Sequence, residues 1–337
     1  MMCHFFGRRR AGATMLRILA ACAVLPGAMA AHAAQPEAEG RSVNLIVPYP
    51  AGGASDAGAR LFAAPFAEAL GQTVVVENLG GATGAVAANK VLAAAANGRD
   101  VFYGSPNEVI LSPLVNPAIR FKPQDFMLVH PLSTSALVLV ARADLPVNSL
   151  DEFIAQARQS TRPLSFGSVG VGSLYHLVVE HLGRKVGAQF NHVPYKGSAP
   201  VLNDLAGGQI DFAVLPYQAS IDGLARQGRL RMVSCLSRIR PTVLAHVPSV
   251  GESRLLRDFD FSIWGGLFVK KGTPDAIVAS LQAATAKSLS DPALRQRLEE
   301  EGRIPFEAMS AAQVAELHRT QIGRYEALIK SVGFKAD

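Results

Sequence analysis

The sequence predicts an α/β protein of two domains, each a mostly parallel sheet between layers of helix. Three observations carry this. At 337 residues the chain exceeds what one ordinary core organises. Short apolar or β-branched runs alternate with helix-period segments along its length, the βαβ pattern of parallel sheets. The pattern also restarts: strand, glycine turn and helix start occur near residue 50 and again near residue 170. The segment Arg142-Ala143-Asp144-Leu145-Pro146 lies between them as a crossing.

The first strand is Val43-Asn44-Leu45-Ile46-Val47, stopped by Pro48 and Pro50, which cannot donate inside a ladder. Ala51-Gly52-Gly53 turns the chain, Ser55 is placed to cap a helix, and Asp56 falls in its first turn. That helix runs to Leu70 before Gly71, with Pro65 expected to kink it. A strand over 73–76, an alanine-rich helix over 82–96 and a strand over 101–104 follow. Separate strands are expected at 127–132 and 137–141. Ser149-Leu150-Asp151-Glu152 is a capping box for a helix to Ser160. Strands at 164–167, 190–193, 211–215 and 230–235 then alternate with helices starting near Ser173, ending near Leu205, and covering 219–226. Residues 241–248 are irregular, and a strand over 259–269 holds Trp264. Three helices close the chain, opened by Pro274, by Pro292, and by the capping box Ser310-Ala311-Ala312-Gln313; the last ends at Gly333.

The chain carries a formal +6, but Arg8, Arg9, Arg10 and Arg17 lie in the first 33 positions, which hold no acid. The remainder carries only +2 and has no basic stripe, so nucleic acid is not an expected partner. Residues 1–33 read as a cleavable secretory signal. They have a basic start, an apolar run over 18–31 too short to span a bilayer, and Ala31-His32-Ala33 as a small-x-small cleavage site. Met15 is an alternative start, and lipoprotein anchoring at Cys22 the weaker reading. Export leaves Cys235 alone, which rules out an internal disulfide and reads as a buried strand thiol. The remaining histidines show no metal spacing, so neither metal nor cofactor is expected.

A strand that feeds a glycine turn into a helix start gathers unpaired N–H groups and suits an anion, although an ordinary βα turn looks the same. Tyr49, Ala51, Gly52, Gly53, Ser55 and Asp56 form the first such turn. The second is Gly167-Ser168-Val169-Gly170-Val171-Gly172-Ser173, with His176 in the helix behind it. Tyr175 stands where a dinucleotide fingerprint needs its third glycine, and neither turn has the Lys-Ser/Thr of a P-loop. Ser168 with His176 invites a hydrolase reading. Phe166 replaces the first glycine of a nucleophile elbow, however, and no catalytic residue is expected. Polar residues at strand ends complete the candidate set: Ser105 and Asn107, then Tyr195, Lys196 and Gly197, then Tyr217. Two glycine turns in two domains read as pincers on one small anion.

In order and spacing these segments resemble the Bug-type solute receptors of tripartite tricarboxylate transporters. The resemblance rests on the first turn, on Val74-Val75-Val76-Glu77-Asn78 with Gly81-Ala82-Thr83-Gly84, and on Phe166-Gly167-Ser168 through His176-Leu177. It continues at His192-Val193-Pro194-Tyr195-Lys196-Gly197-Ser198-Ala199-Pro200, at Leu205-Ala206-Gly207-Gly208-Gln209-Ile210-Asp211, and over 264–274. It implies a two-lobed periplasmic-binding-protein (Venus flytrap) fold with a ligand cleft between the lobes. The first lobe would take 42–141 plus 251–337 and the second 142–250. It further implies capture of a small carboxylate by main-chain N–H groups, hydroxyls and water, without catalysis. The same resemblance implies a periplasmic monomer with membrane transporter subunits as partners. A ligand-presenting partner of a membrane sensor and, more remotely, a secreted hydrolase are the alternatives. Pro216-Tyr217-Gln218 departs from the Asp-Asn pair frequent there in the family, and the loops hold no arginine clamp, so the ligand itself stays open.

Overall fold

A computed structural model describes residues 42–333. The expected signal, its cleavage site and Cys22 lie outside the described residues. The strands are β1 (Val43–Val47), β2 (Val74–Asn78), β3 (Asp100–Gly104), β4 (Phe126–Arg142), β5 (Leu164–Ser168), β6 (Phe190–Pro194), β7 (Phe212–Pro216), β8 (Leu230–Cys235), β9 (Ser262–Lys270) and β10 (Arg303–Pro305). The helices are α1 (Ala54–Leu70), α2 (Ala85–Ala93), α3 (Ser112–Val115), α4 (Leu150–Gln159), α5 (Leu174–Val186), α6 (Ser198–Ala206), α7 (Ala219–Arg226), α8 (Asp275–Leu289), α9 (Pro292–Glu300) and α10 (Ala311–Val332).

The strand order is β2-β1-β3-β9-β4-β7-β5-β6, with β10 and β8 also paired to β4. Pairing is parallel where βα units follow one another, at β1 with β2 and β3 and at β5 with β6 and β7. Strand β4 is antiparallel to all its partners and divides the sheet. Its first part, to Ala136, pairs with β9, and from Leu137 onward it pairs with β7 and β8.

The 17-residue β4 replaces the two separate strands expected at 127–132 and 137–141. Ser133-Thr134-Ser135 looked like a break but pairs with both β9 and β10, and Ser133 and Ser135 are buried. Pro131 costs no more than a bulge, because the register with β9 slips on either side of it. The strand β10 was not anticipated; three residues are too few to show a period.

Helix α1 starts at Ala54 with Gly53 as its cap residue and no side-chain cap, so Ser55 is inside the helix and not its cap. The helix continues through Pro65. Residues 82–96 are not one helix. Ala82–Gly84 is a 3-10 turn with Ala82 and Thr83 at positive φ, and α2 begins only at Ala85. The apolar turn after Asn107 is a π-helical turn, Asn107–Leu111, running into α3.

Two apolar cores result. Phe62 and Phe66 of α1 stack at 4.9 Å and pack with Val278 and Leu281 of α8 and Leu294 and Leu298 of α9 on one face of the first part of the sheet. Phe153, Phe166, Phe190 and Phe212 interlock in the second part. Burying each such ring contributes about 1.5–3 kcal/mol, enough to fix the turns that the strands end in.

Candidate functional site

The first glycine turn owes its shape to Gly52, whose φ of +81° only glycine adopts freely. The Gly52 amide donates to Asp56 Oδ2 at 2.9 Å, and Arg60 Nε donates to Oδ1 at 2.9 Å. Burial pushes the Asp56 carboxyl up, but the Arg60 and Gly52 hydrogen bonds outweigh it and hold the group below its ordinary range. Asp56 therefore braces the turn from within. The Ala54 amide donates to Ser198 Oγ at 3.2 Å, across 144 residues of sequence. The Ser55 amide, next in the first turn of α1, has no partner among the described residues.

Ser55 borders an inner cavity of about 40 Å³, lined also by Ser105, Ser135, Tyr175, Trp264 and Arg303 among others. The space equals one or two waters. Strand ends supply it: Ser105 follows β3, Ser135 lies in β4, and Trp264, whose Nε1 donates to Gln321 Oε1 at 3.2 Å, lies in β9. Arg303 of β10 is almost fully buried and donates through Nη2 to the Ala54 carbonyl.

Behind this cavity sits a buried polar cluster. Glu108, wholly buried, accepts from the Ser105 amide at 2.6 Å and its hydroxyl at 2.8 Å, while its Oε1 has no partner. Burial dominates and lifts its carboxyl to about 7. The Tyr49 hydroxyl lies beside Glu108 and Asn107 without meeting either in hydrogen-bond geometry, and burial raises its pKa. Asn107 Oδ1 accepts from the Leu174 amide at 2.8 Å and so caps α5 from 67 residues away.

The second glycine turn is less open than its sequence promised. Gly170 N donates to Ser168 Oγ at 3.2 Å, Gly172 N to His176 Nδ1 at 3.0 Å, and His176 N to Ser173 Oγ at 3.4 Å. With the Leu174 amide taken by Asn107 and the Ser173 amide by the Gly170 carbonyl, five of its donors are committed within the chain. Ser168 is fully buried, and its hydroxyl donates to the Gly170 carbonyl at 2.9 Å. His192 Nε2, 2.7 Å from the same oxygen, is then the donor to it and cannot serve as its base. His176 and His192 stack with ring centroids 3.8 Å apart; burial holds them neutral, with pKa values lowered to about 3 and about 4.

Ala51, Gly170, Tyr195 and Lys196 line a separate, outer groove of about 790 Å³. Gly170 packs against Thr83, so a Cβ there would collide with the threonine. Gly197 lies so near Pro50 that a Cβ would stand 2.9 Å from the ring. Tyr195 donates to Asp204 Oδ2 at 2.7 Å, and Tyr217 packs on Gly302 instead of standing in either space. The sixteen sequence candidates thus divide. Ser55 and Ser105 line the inner cavity, and Tyr49 and Asn107 back it. Ala51, Gly170, Tyr195 and Lys196 line the outer groove; Gly52, Gly53, Asp56, Ser168, Ser173, His176 and Gly197 shape the turns. Glu108, Ser135, Tyr175, Ser198 and Arg303 were not anticipated. Ser198 and Tyr175 stood within quoted segments but were not singled out; Glu108, Ser135 and Arg303 stood in none.

A profile described as "Tripartite tricarboxylate transporter family receptor" matches residues 59–334. Among solved structures, the periplasmic binding protein BugD is 28% identical, covering 88% of this chain and 99% of its own, with a TM-score of 0.81. Rpa4515 of R. palustris, solved with adipate, is 31% identical over 89% of this chain and 99% of its own, TM-score 0.83. MatC of Rhodopseudomonas palustris, solved with bound malate, is 30% identical over 86% and 99%, TM-score 0.79. The fold is accordingly that of the two-lobed periplasmic binding proteins, and the family's solved members are substrate-binding proteins, not enzymes. The chain belongs to the tripartite tricarboxylate transporter receptor family of Bug-type proteins.

Proposed function

We propose that this chain is a periplasmic receptor that closes on a small carboxylate and hands it to the membrane subunits of a tripartite transporter. The observation that carries the reading is the open Ser55 amide at the start of α1, beside serine hydroxyls in a cavity without an acid. Such a helix start favours an anion through its free N–H groups and its dipole. The adipate- and malate-bound relatives support a carboxylate in particular. The change of partners along β4 supports two lobes, one of about 42–141 with 251–337 and one of 142–250, with the inner cavity at their seam. Contacts such as Ser198 with Ala54 and Gly170 with Thr83 correspond to a closed arrangement. Ligand entry then requires the lobes to part, so affinity includes the closure equilibrium. Export through residues 1–33, action as a monomer and delivery to membrane subunits complete the proposal.

Thermal melting against di- and tricarboxylates, aromatic acids and amino acids tests it. A true ligand at a hundredfold its Kd adds about 2.7 kcal/mol of stability. A melt unmoved by every carboxylate removes the reading.

A further inference from the structure

Building on that receptor reading, we infer that Arg303 is the cationic grip of the inner cavity, so that the ligand enters it carboxylate first. The strand β10 places this residue, with Arg303 paired to Ser135 of β4. Only 7% of it is exposed. Its guanidinium lies against α1 where Gly58 leaves room: a Cβ there would stand 2.9 Å from Cζ and 3.0 Å from Nη1. Nη2 donates to the Ala54 carbonyl, a neutral acceptor, and Nε is buried without a partner. Among the described residues no carboxylate forms an ion pair with it.

A buried cation with no counter-charge is costly, and Arg is almost never fully buried unless paired. The rest of the cavity shares its preference. The positive end of α1 and the hydroxyls of Ser55 and Ser135 suit an anion, and none of the lining residues is acidic. A planar carboxylate matches the guanidinium fork, which a point charge does not. The same guanidinium therefore serves as a specificity-determining group that sorts an acid from its amide.

The test uses the mature chain and calorimetry with malate, adipate and benzoate, each beside its fully amidated analogue. Wild type should prefer acid over amide by at least 100-fold. In Arg303→Met the acid should bind 30- to 100-fold more weakly while the amide is unchanged, so the preference collapses; Arg303→Lys should fall between. A purely structural arginine would lower the melting temperature of Arg303→Met and leave the acid-to-amide preference intact, and that result overturns the inference while the receptor reading stands. Should Arg303→Met not fold, Arg303→Lys decides, since an undiminished preference there refutes the fork. If neither these acids nor any carboxylate of the melting screen binds wild type, the receptor reading fails first and takes the inference with it; where another carboxylate binds, the same acid-and-amide comparison is made with it.

Discussion

Replacing Glu108 by Gln should stabilise the protein above neutral pH and leave it nearly unchanged in mild acid. The wholly buried carboxyl has two hydrogen bonds from Ser105 on one oxygen and none on the other. Gly84 holds it in, because a Cβ at that glycine would collide with the Glu108 side chain. Burial outweighs the hydrogen bonds and lifts the group from 4.5 to about 7. A raised carboxyl binds its proton more tightly in the folded chain. Its favourable contribution is complete below 4.5 and is lost as pH climbs through about 7. At 1.36 kcal/mol per pH unit that loss amounts to about 3 kcal/mol, an upper figure once local relaxation is allowed. Gln keeps the shape and the acceptor for Ser105 but has no proton to lose. Urea denaturation of both proteins at pH 5 and pH 8 reads the difference directly, and every other titrating group cancels between them. Equal destabilisation of the variant at both values would refute the argument, because it would show a lost hydrogen-bond geometry and not a buried charge.

Two further substitutions probe the turns. Gly170→Val forces a side chain at φ +136° into Thr83 and should cost about 1–3 kcal/mol of stability and weaken carboxylate binding; Gly53→Val, which meets the Ser198 hydroxyl at 2.9 Å, should do less harm to stability. Denaturant melts and calorimetry separate the two effects, and native stability with native affinity in Gly170→Val would show that this contact does not govern closure. His192→Gln should flatten the acid side of the stability profile. Burial keeps His192 neutral down to about 4, so its contribution is present above its ordinary 6.5 and is lost as pH falls through the lower value. Melting temperatures from pH 7 to pH 4 check this, and identical slopes for variant and wild type would exclude it.

Local chemistry was the legible part. Pro48 and Pro50 end β1, Ser149, Ser173 and Ser310 cap the helices they were expected to open, and Gly71, Gly187 and Gly333 close theirs in left-handed conformation. Each of these depends on neighbours within about four residues, which a sequence displays. Ser55 as a cap and one helix over 82–96 failed locally; the larger failures were long-range. Ser133 to Ser135 read as a break because their ladder partners, in β9 and β10, lie more than 120 positions away. The two glycine turns look alike in sequence, yet the second has more of its amides taken within the chain. Asn107 and His176 each take an amide of the second, and Ser198 takes one of the first from 144 residues away.

An anion site is therefore half a local property. A strand, a glycine turn and a helix start create unpaired donors wherever they occur, and the sequence reveals that much. Whether a donor stays unpaired depends on which side chains the tertiary fold brings over it, as Asn107 does when it reaches the Leu174 amide of α5 across 67 residues. The charge that favours an anion at the first turn arrives the same way. Arg303 follows Gly302 at the end of α9, far along the chain from Ser55, and enters the cavity only because β10 pairs with β4. A search for an arginine within the glycine loops could not have found it, since the residue that supplies the charge and the turn that supplies the donors share no local pattern.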